Sequence, residues 1–145
     1  SDHTELLPIL ADFANKAISR ASFHSRIDYI VPVPIHWRSR FRRGFNHSQL
    51  IAKGVKMGEA VLNEDLVKIK STKSQTELSY SQRAKNVSGV FAVRQRHDFE
   101  GKNVCLIDDV KTSGATLNEC AKVLKEAGAD RVFAFAIAVA GQEKN

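Results

Sequence analysis

Apolar residues recur at helical spacing near the start of the chain, where Leu6, Leu7, Leu10, Phe13, Ala14, Ala17 and Ile18 share one face. This spacing predicts an amphipathic helix from Thr4 to about Arg20, with Thr4 as its cap and Pro8 in its first turns. The period then changes. Asp28 to Val33 is a short β-branched run closed by Pro32 and Pro34, which reads as a strand ending in a loop. That loop continues through Arg43 and Gly44, and Asn46 or Ser48 caps a second helix running to about Val61. Asp65 to Ile69 reads as a strand, and Ser71 to Ser81, with six Ser or Thr in eleven residues, as a flexible stretch. Ser81 caps a short helix through Val87, and Val90 to Val93 alternates like another strand. Asn103 to Ile107 is apolar after its first residue, as in a strand buried on both faces. Ala115 to Ala127 is helical by period, with Leu117, Cys120, Ala121 and Leu124 on one side, and Gly128 stops it. Arg131 to Val139 is the last strand, followed by a frayed tail from Gly141 to Asn145.

Strands alternating with helices predict an α/β domain with a mostly parallel sheet flanked by helices. With 145 residues, no internal repeat and no long linker, residues 1–145 read as a single domain. An apolar fraction of 43% with 26% charged residues excludes the disordered and fibrous classes. The longest apolar runs, Phe133 to Ala140 and Val104 to Ile107, are too short for a bilayer, so no membrane partner is expected. Ser1 to Glu5 is polar and acidic, unlike a secretory signal, and the expected setting is reducing and cytoplasmic. Two cysteines, Cys105 and Cys120, exclude a disulfide scaffold and a four-cysteine zinc site within this sequence. Lys and Arg exceed Asp and Glu by 22 to 16, and the resulting +6 favours anionic partners.

The most informative segment is Val104 to Thr116. Four apolar residues lead into two adjacent carboxylates, Asp108 and Asp109, then a short hydroxyl-rich turn with one glycine, then a helix. In an open α/β sheet, ligands bind beyond the carboxyl ends of the strands. Amides of Thr112, Ser113, Gly114 and Ala115 would converge at a helix start, a nest for a phosphate. Gly114 would let the backbone approach the ligand closely. Thr112, Ser113 and Thr116 add hydroxyl donors, and the carboxylates suit sugar hydroxyls. A phosphate at one end and a diol at the other describe a ribose 5-phosphate. The plainer alternative is a strand-turn-helix whose hydroxyls only cap the helix. Lys111 either faces solvent or strengthens the phosphate site.

A second segment runs Val31-Pro32-Val33-Pro34-Ile35-His36 and continues through Arg38, Arg40, Arg42, Arg43, Gly44, Phe45 and Asn46. Four arginines in six residues make a strong local positive field. Alone, this is open to three readings: a solvated loop, an anion site, or a single-stranded nucleic-acid contact with Trp37, Phe41 and Phe45 as stacking groups. A third segment contains Gln75, Leu78, Ser79, Arg83, Asn86, Val87, Gly89 and Phe91.

The Val104–Thr116 segment resembles the binding motif for 5-phosphoribosyl 1-diphosphate (PRPP) of the type I phosphoribosyltransferases. The other two segments resemble the Val-Pro-x-Pro and Gln-x-x-Leu-Ser stretches of the ComF family, also called GntX-like or competence-protein-F-like. The resemblance spans about Tyr29 to Ala138. It implies the type I phosphoribosyltransferase fold. It also implies a PRPP site in which Asp108 and Asp109 hold the ribose hydroxyls while Lys111, Thr112, Ser113, Gly114, Ala115 and Thr116 hold the 5-phosphate. Val33, Pro34, Ile35 and His36 would form a pyrophosphate loop, often of unusual peptide geometry, with Arg43 within reach. Ser71 to Gly89 would be a mobile loop carrying Gln75 and Arg83. Mg²⁺ would be the cofactor, held through PRPP and by no protein ligand directly. Family members usually begin with a cysteine-rich zinc-binding segment; this sequence lacks it, so zinc is not carried over. His3, His24, His36, His47 and His97 show no ligand spacing.

Two functions follow as expectations. One is a phosphoribosyltransferase that moves phosphoribosyl from PRPP to an unidentified nitrogen acceptor and releases pyrophosphate. The other is a non-catalytic PRPP- or nucleotide-binding protein, or a scaffold, in DNA uptake or utilisation. Neither an acceptor pocket nor a hood beyond the last strand is evident in the sequence. The expected partners are PRPP or another ribose 5-phosphate ligand, single-stranded DNA or proteins of the competence machinery, and a second copy of the chain.

Overall fold

In chain order the elements are strand β1 (Tyr29–Pro32), helix α1 (His47–Gly54), strands β2 (Val61–Leu62) and β3 (Leu66–Lys68), helix α2 (Tyr80–Val87), strand β4 (Phe91–Val93), a 3₁₀ turn (Arg96–Phe99), strand β5 (Asn103–Asp108), helix α3 (Ala115–Glu126) and strand β6 (Arg131–Ala136). The computed structural model describes residues 15, 26–35, 46–70, 79–108 and 114–136. The helix expected over Thr4 to Arg20 lies outside the described residues except for Asn15, which is helical. Asn15 ties to the end of α1, donating from Nδ2 to the Gly54 carbonyl at 2.9 Å and accepting from the Lys56 amide at 2.7 Å.

Four strands form a parallel sheet in the order β2-β1-β5-β6. The apolar run of β5 is explained by cover on both faces. Val104 and Leu106 join Val31, Phe99, Cys120 and Leu124 on the α3 face. Cys105 and Ile107 join Ile30, Ile51, Ala52 and Met57 on the α1 face. Side chains alternate across a strand, so two helices on opposite faces require an unbroken apolar run. The fold is a mostly parallel sheet flanked by helices.

Three local expectations change. The second helix stops at Gly54, not near Val61; Val55 is already extended, and Val61 and Leu62 pair with Tyr29 and Ile30 as an edge strand. A strand of two residues has no period to read and exists because β1 offers it hydrogen bonds. The cap of α2 is Ser79, not Ser81. Its hydroxyl accepts from the Gln82 amide at 3.3 Å, and Gln82 Oε1 accepts from the Ser79 amide at 2.9 Å, a reciprocal capping box. Finally, β3 and β4 do not join the main sheet but pair with each other as an antiparallel ribbon, with Leu66 opposite Val93. Gly128 ends α3 as expected, at φ +104°, where a Cβ would also run into Glu100. Among the described residues no helix is long and apolar enough to cross a membrane.

Both cysteines are fully buried, one on each face of the sheet. Burial pushes the Cys105 thiol up from 9.0 to about 12. Burial also raises Cys120, helped by the carboxylates of Asp108 and Glu119, with Lys68 opposing. A folded pKa above the unfolded one favours the neutral form in the native state. The associated stability is complete below pH 9 and is lost as pH rises toward 12. The expected outcome is a urea midpoint that falls above pH 9 less steeply in Cys105→Val than in the parent; equal slopes would contradict it.

Candidate functional site

The chain leaves β1 toward α1 and β2 on one side of the sheet, and leaves β5 toward α3 and β6 on the other. The two helices also lie on opposite faces. The carboxyl ends of β1 and β5 therefore flank a topological switch point, where the divergence of the two connections opens a crevice. Two segments far apart in sequence, the turn after β1 and the carboxyl end of β5, meet there because Pro32 pairs with Ile107.

The β1 turn is held from two directions. The Val33 amide donates to the Ile107 carbonyl at 2.9 Å, extending the ladder one residue past β1. The Val33 carbonyl accepts from Asn46 Nδ2 at 3.2 Å. Asn46 is itself buried, and its Oδ1 caps α1 by accepting from the Ser48 amide at 2.9 Å and the Gln49 amide at 3.4 Å. One side chain thus joins the turn to the start of α1. Val33 lies in the core and Pro34 has no amide proton, so the first backbone donor of the turn not used in the sheet is that of Ile35. Every peptide bond among the described residues is trans. His36 and Arg43 lie outside the described residues, as does the whole Trp37–Phe45 stretch.

Asp108 ends β5, half-buried, and one of its carboxylate oxygens accepts from Ser48 Oγ at 3.4 Å. Ser48 is almost fully buried, an unusual place for a serine, and sits in the first turn of α1. Sequence reading saw in it only a possible cap; its contact with Asp108 needs the tertiary fold. Hydroxyl–carboxylate bonds are normally shorter than this, and such contacts often tighten when ligand binds. A ligand seated against Asp108 is expected to bind Ser48→Ala about threefold to tenfold more weakly, the worth of an ordinary net hydrogen bond. Ser48→Thr keeps the hydroxyl and should bind better than Ser48→Val, which has the same shape. Equal affinities of Thr and Val variants would remove the hydroxyl from the argument.

Asp109, Lys111, Thr112 and Ser113 lie outside the described residues. Gly114, Ala115 and Thr116 form the start of α3. Gly114 is the N-cap at φ +89°, and its carbonyl accepts the Asn118 amide at 2.9 Å. A Cβ there would meet nothing of the described residues within 4 Å, and what the glycine supplies in this structure is the left-handed φ that starts the helix. It brings no side chain to cap the helix, and the first turn carries no acid. The positive pole of the helix dipole lies at that end.

Arg83 falls in α2 by its backbone, its side chain lies outside what is described, and Gln75 lies outside the described residues. The far end of the predicted mobile stretch is anchored where sequence gave no hint: the Gly89 amide donates to Glu119 Oε2 of α3 at 3.2 Å. A cavity of about 330 Å³ opens beside the β1 turn, against the β3–β4 ribbon. Among the described residues no three His, Cys, Asp or Glu side chains gather as a metal site.

A family model for the phosphoribosyl transferase domain matches residues 12–145. The chain belongs to that family. Within it, the similarity is to ComF-like members. The chain is 32% identical over 112 residues to competence protein F of Haemophilus influenzae, covering 75% of this chain and 49% of that protein. It is 33% identical over 107 residues to DNA utilization protein YhgH of Escherichia coli K12, covering 72% and 46%. It is 30% identical over 99 residues to competence protein ComFC of Bacillus subtilis, covering 68% and 39%. This phosphoribosyltransferase-family chain spans about half the length of the curated relatives it matches. Among solved structures, a hypoxanthine phosphoribosyltransferase from Staphylococcus aureus aligns with a TM-score of 0.48 at 13% identity, over 91% of this chain and 62% of that one.

Proposed function

We propose that the chain binds PRPP in the crevice between β1 and β5 and transfers its phosphoribosyl group to a nitrogen acceptor, with release of pyrophosphate. The observation that carries this reading is the convergence of two family segments on one switch point, with Asp108 on one strand end and the Val33–Ile35 turn on the next. In this reading Asp108 and Asp109 accept the ribose hydroxyls. The 5-phosphate lies on the 111–116 loop and the start of α3, with Lys111, Thr112, Ser113 and Thr116 as side-chain donors. The diphosphate lies on the β1 turn, at Ile35 and His36, with Arg43 reaching the same oxygens.

Displacement at the anomeric carbon builds positive charge on the ring and negative charge on the departing diphosphate. Catalysis is then positioning and electrostatics, with the carboxylates beside the ring and cations beside the leaving group. No covalent nucleophile is needed, and the buried cysteines are unsuited to that role. The Mg²⁺ that the family implies does not fit a cage of side chains among the described residues. It would come with the oxygens of PRPP and would neutralise charge on the diphosphate.

The relatives named for competence and DNA utilisation support a second reading, a PRPP-binding protein without turnover that acts in DNA uptake. Calorimetric titration with PRPP and Mg²⁺, followed by pyrophosphate release across a panel of amines and bases, separates the two. Binding with release supports the transferase. Binding with silence across the panel supports the second reading, and no binding by folded protein refutes both.

A further inference from the structure

The cavity beside the β1 turn touches the mechanism above only at Ile35 and extends beyond it to the β3–β4 ribbon. Its volume, about 330 Å³, is at the lower end of the roughly 300–1,000 Å³ typical of small-molecule sites and is more than a phosphate needs. Pro34, Leu66 and Val67 give it apolar walls. Its polar side chains include a paired amide and acid: Gln49 Nε2 donates to Glu64 Oε1. A carboxylate has a second oxygen and only accepts, so Glu64 presents an acceptor to whatever enters. Arg94 stands beside it, held by the Glu64 carbonyl at 3.2 Å and the Asp65 carboxylate at 3.7 Å, with its exposed guanidinium plane available for stacking. Apolar walls with an acceptor on one edge match a flat ring carrying an amino group.

Position narrows the ligand further. In-line displacement brings the acceptor to the face opposite the leaving diphosphate. The cavity adjoins the turn on which that reading places the diphosphate, and so suits a group attached to the diphosphate better than the acceptor.

We propose that this cavity binds the base of a nucleoside diphosphate, preferring bases with an exocyclic amine, and that such a nucleotide competes with PRPP by placing its diphosphate on the β1 turn. The inference rests on the reading of that turn as the diphosphate site.

The test is calorimetry of the intact chain with inorganic pyrophosphate, ADP, CDP and UDP, each with Mg²⁺, and displacement of PRPP by each. ADP and CDP are expected to bind at least about tenfold tighter than pyrophosphate, one good polar contact plus ring burial. UDP, with a carbonyl in place of the cytosine amine, should bind more weakly than CDP. Glu64→Gln should remove most of the ADP and CDP gain and leave pyrophosphate unchanged. Val67→Phe, which sets a larger side chain on the apolar wall of the cavity, should do the same. ADP and CDP no tighter than pyrophosphate, or a gain indifferent to both variants, would overturn the proposal. Variant-sensitive ADP binding without pyrophosphate or PRPP binding would keep the cavity assignment and overturn the diphosphate placement. Failure of every ligand on folded protein would overturn both.

Discussion

If the proposed reading holds, Asp108→Asn combined with Asp109→Asn is expected to weaken PRPP binding by about a hundredfold, and Asp108→Asn alone by about tenfold, in calorimetric titration with Mg²⁺. Hydrogen bonds to charged groups are worth about 1.5–3 kcal/mol each, and asparagine keeps the shape while losing the charge and half of the acceptor capacity. Asp108 is a clean place for this change. It sits at the end of β5, outside both core clusters, and asparagine keeps an oxygen that can accept from Ser48 Oγ. Its backbone pairs with Ala136 whichever side chain it carries. Parent-like affinity in the double variant would remove the carboxylates from the site and leave the 111–116 loop to hold the ligand without them.

Phe99→Ala costs about 3–5 kcal/mol of unfolding free energy, a large share of the roughly 5–15 kcal/mol that holds a domain of this kind together. Phe99 ends the 3₁₀ turn between β4 and β5 and is completely buried. Its ring meets that of Tyr29 edge-on, with centroids 5.5 Å apart. It also belongs to the cluster that joins β1, β5 and α3. Truncation would leave a cavity at the centre of that cluster. Phe99 precedes the amino end of β5, and the candidate site lies at the carboxyl end. Folded Phe99→Ala at low temperature is therefore expected to bind ligand like the parent. Urea denaturation reads the first effect and calorimetry the second. A loss below about 1 kcal/mol would contradict the packing described.

The elements that sequence located well are those whose burial pattern is local. β5 announces itself because both of its faces are covered, and α3 because one stripe of it packs on the sheet. Asn46 was legible as a cap because capping is a contact between near neighbours. The misplaced elements depend on distant partners. β2 is two residues long and needs β1, and the β3–β4 ribbon needs two segments separated by α2. The cap of α2 is a local feature too: the Ser79–Gln82 spacing marks it, and Ser81, the cap expected from sequence, lies inside the helix.

For the candidate site, the order of residue types by itself pointed to Asp108 and Gly114, while the Val33–Ile35 turn entered only through the family resemblance. The sequence could not show that the Val33 amide is consumed by Ile107. Nor could it show that Asn46 holds the Val33 carbonyl, that Ser48 reaches Asp108, or that Glu64 and Gln49 face a cavity beside that turn. Each of these is a contact between segments that only strand register and helix placement bring together. Periodicity and short-range chemistry act along the chain and are written in it directly. Which carboxylate meets which hydroxyl is settled by the order of strands in the sheet, and that order is a property of the whole core.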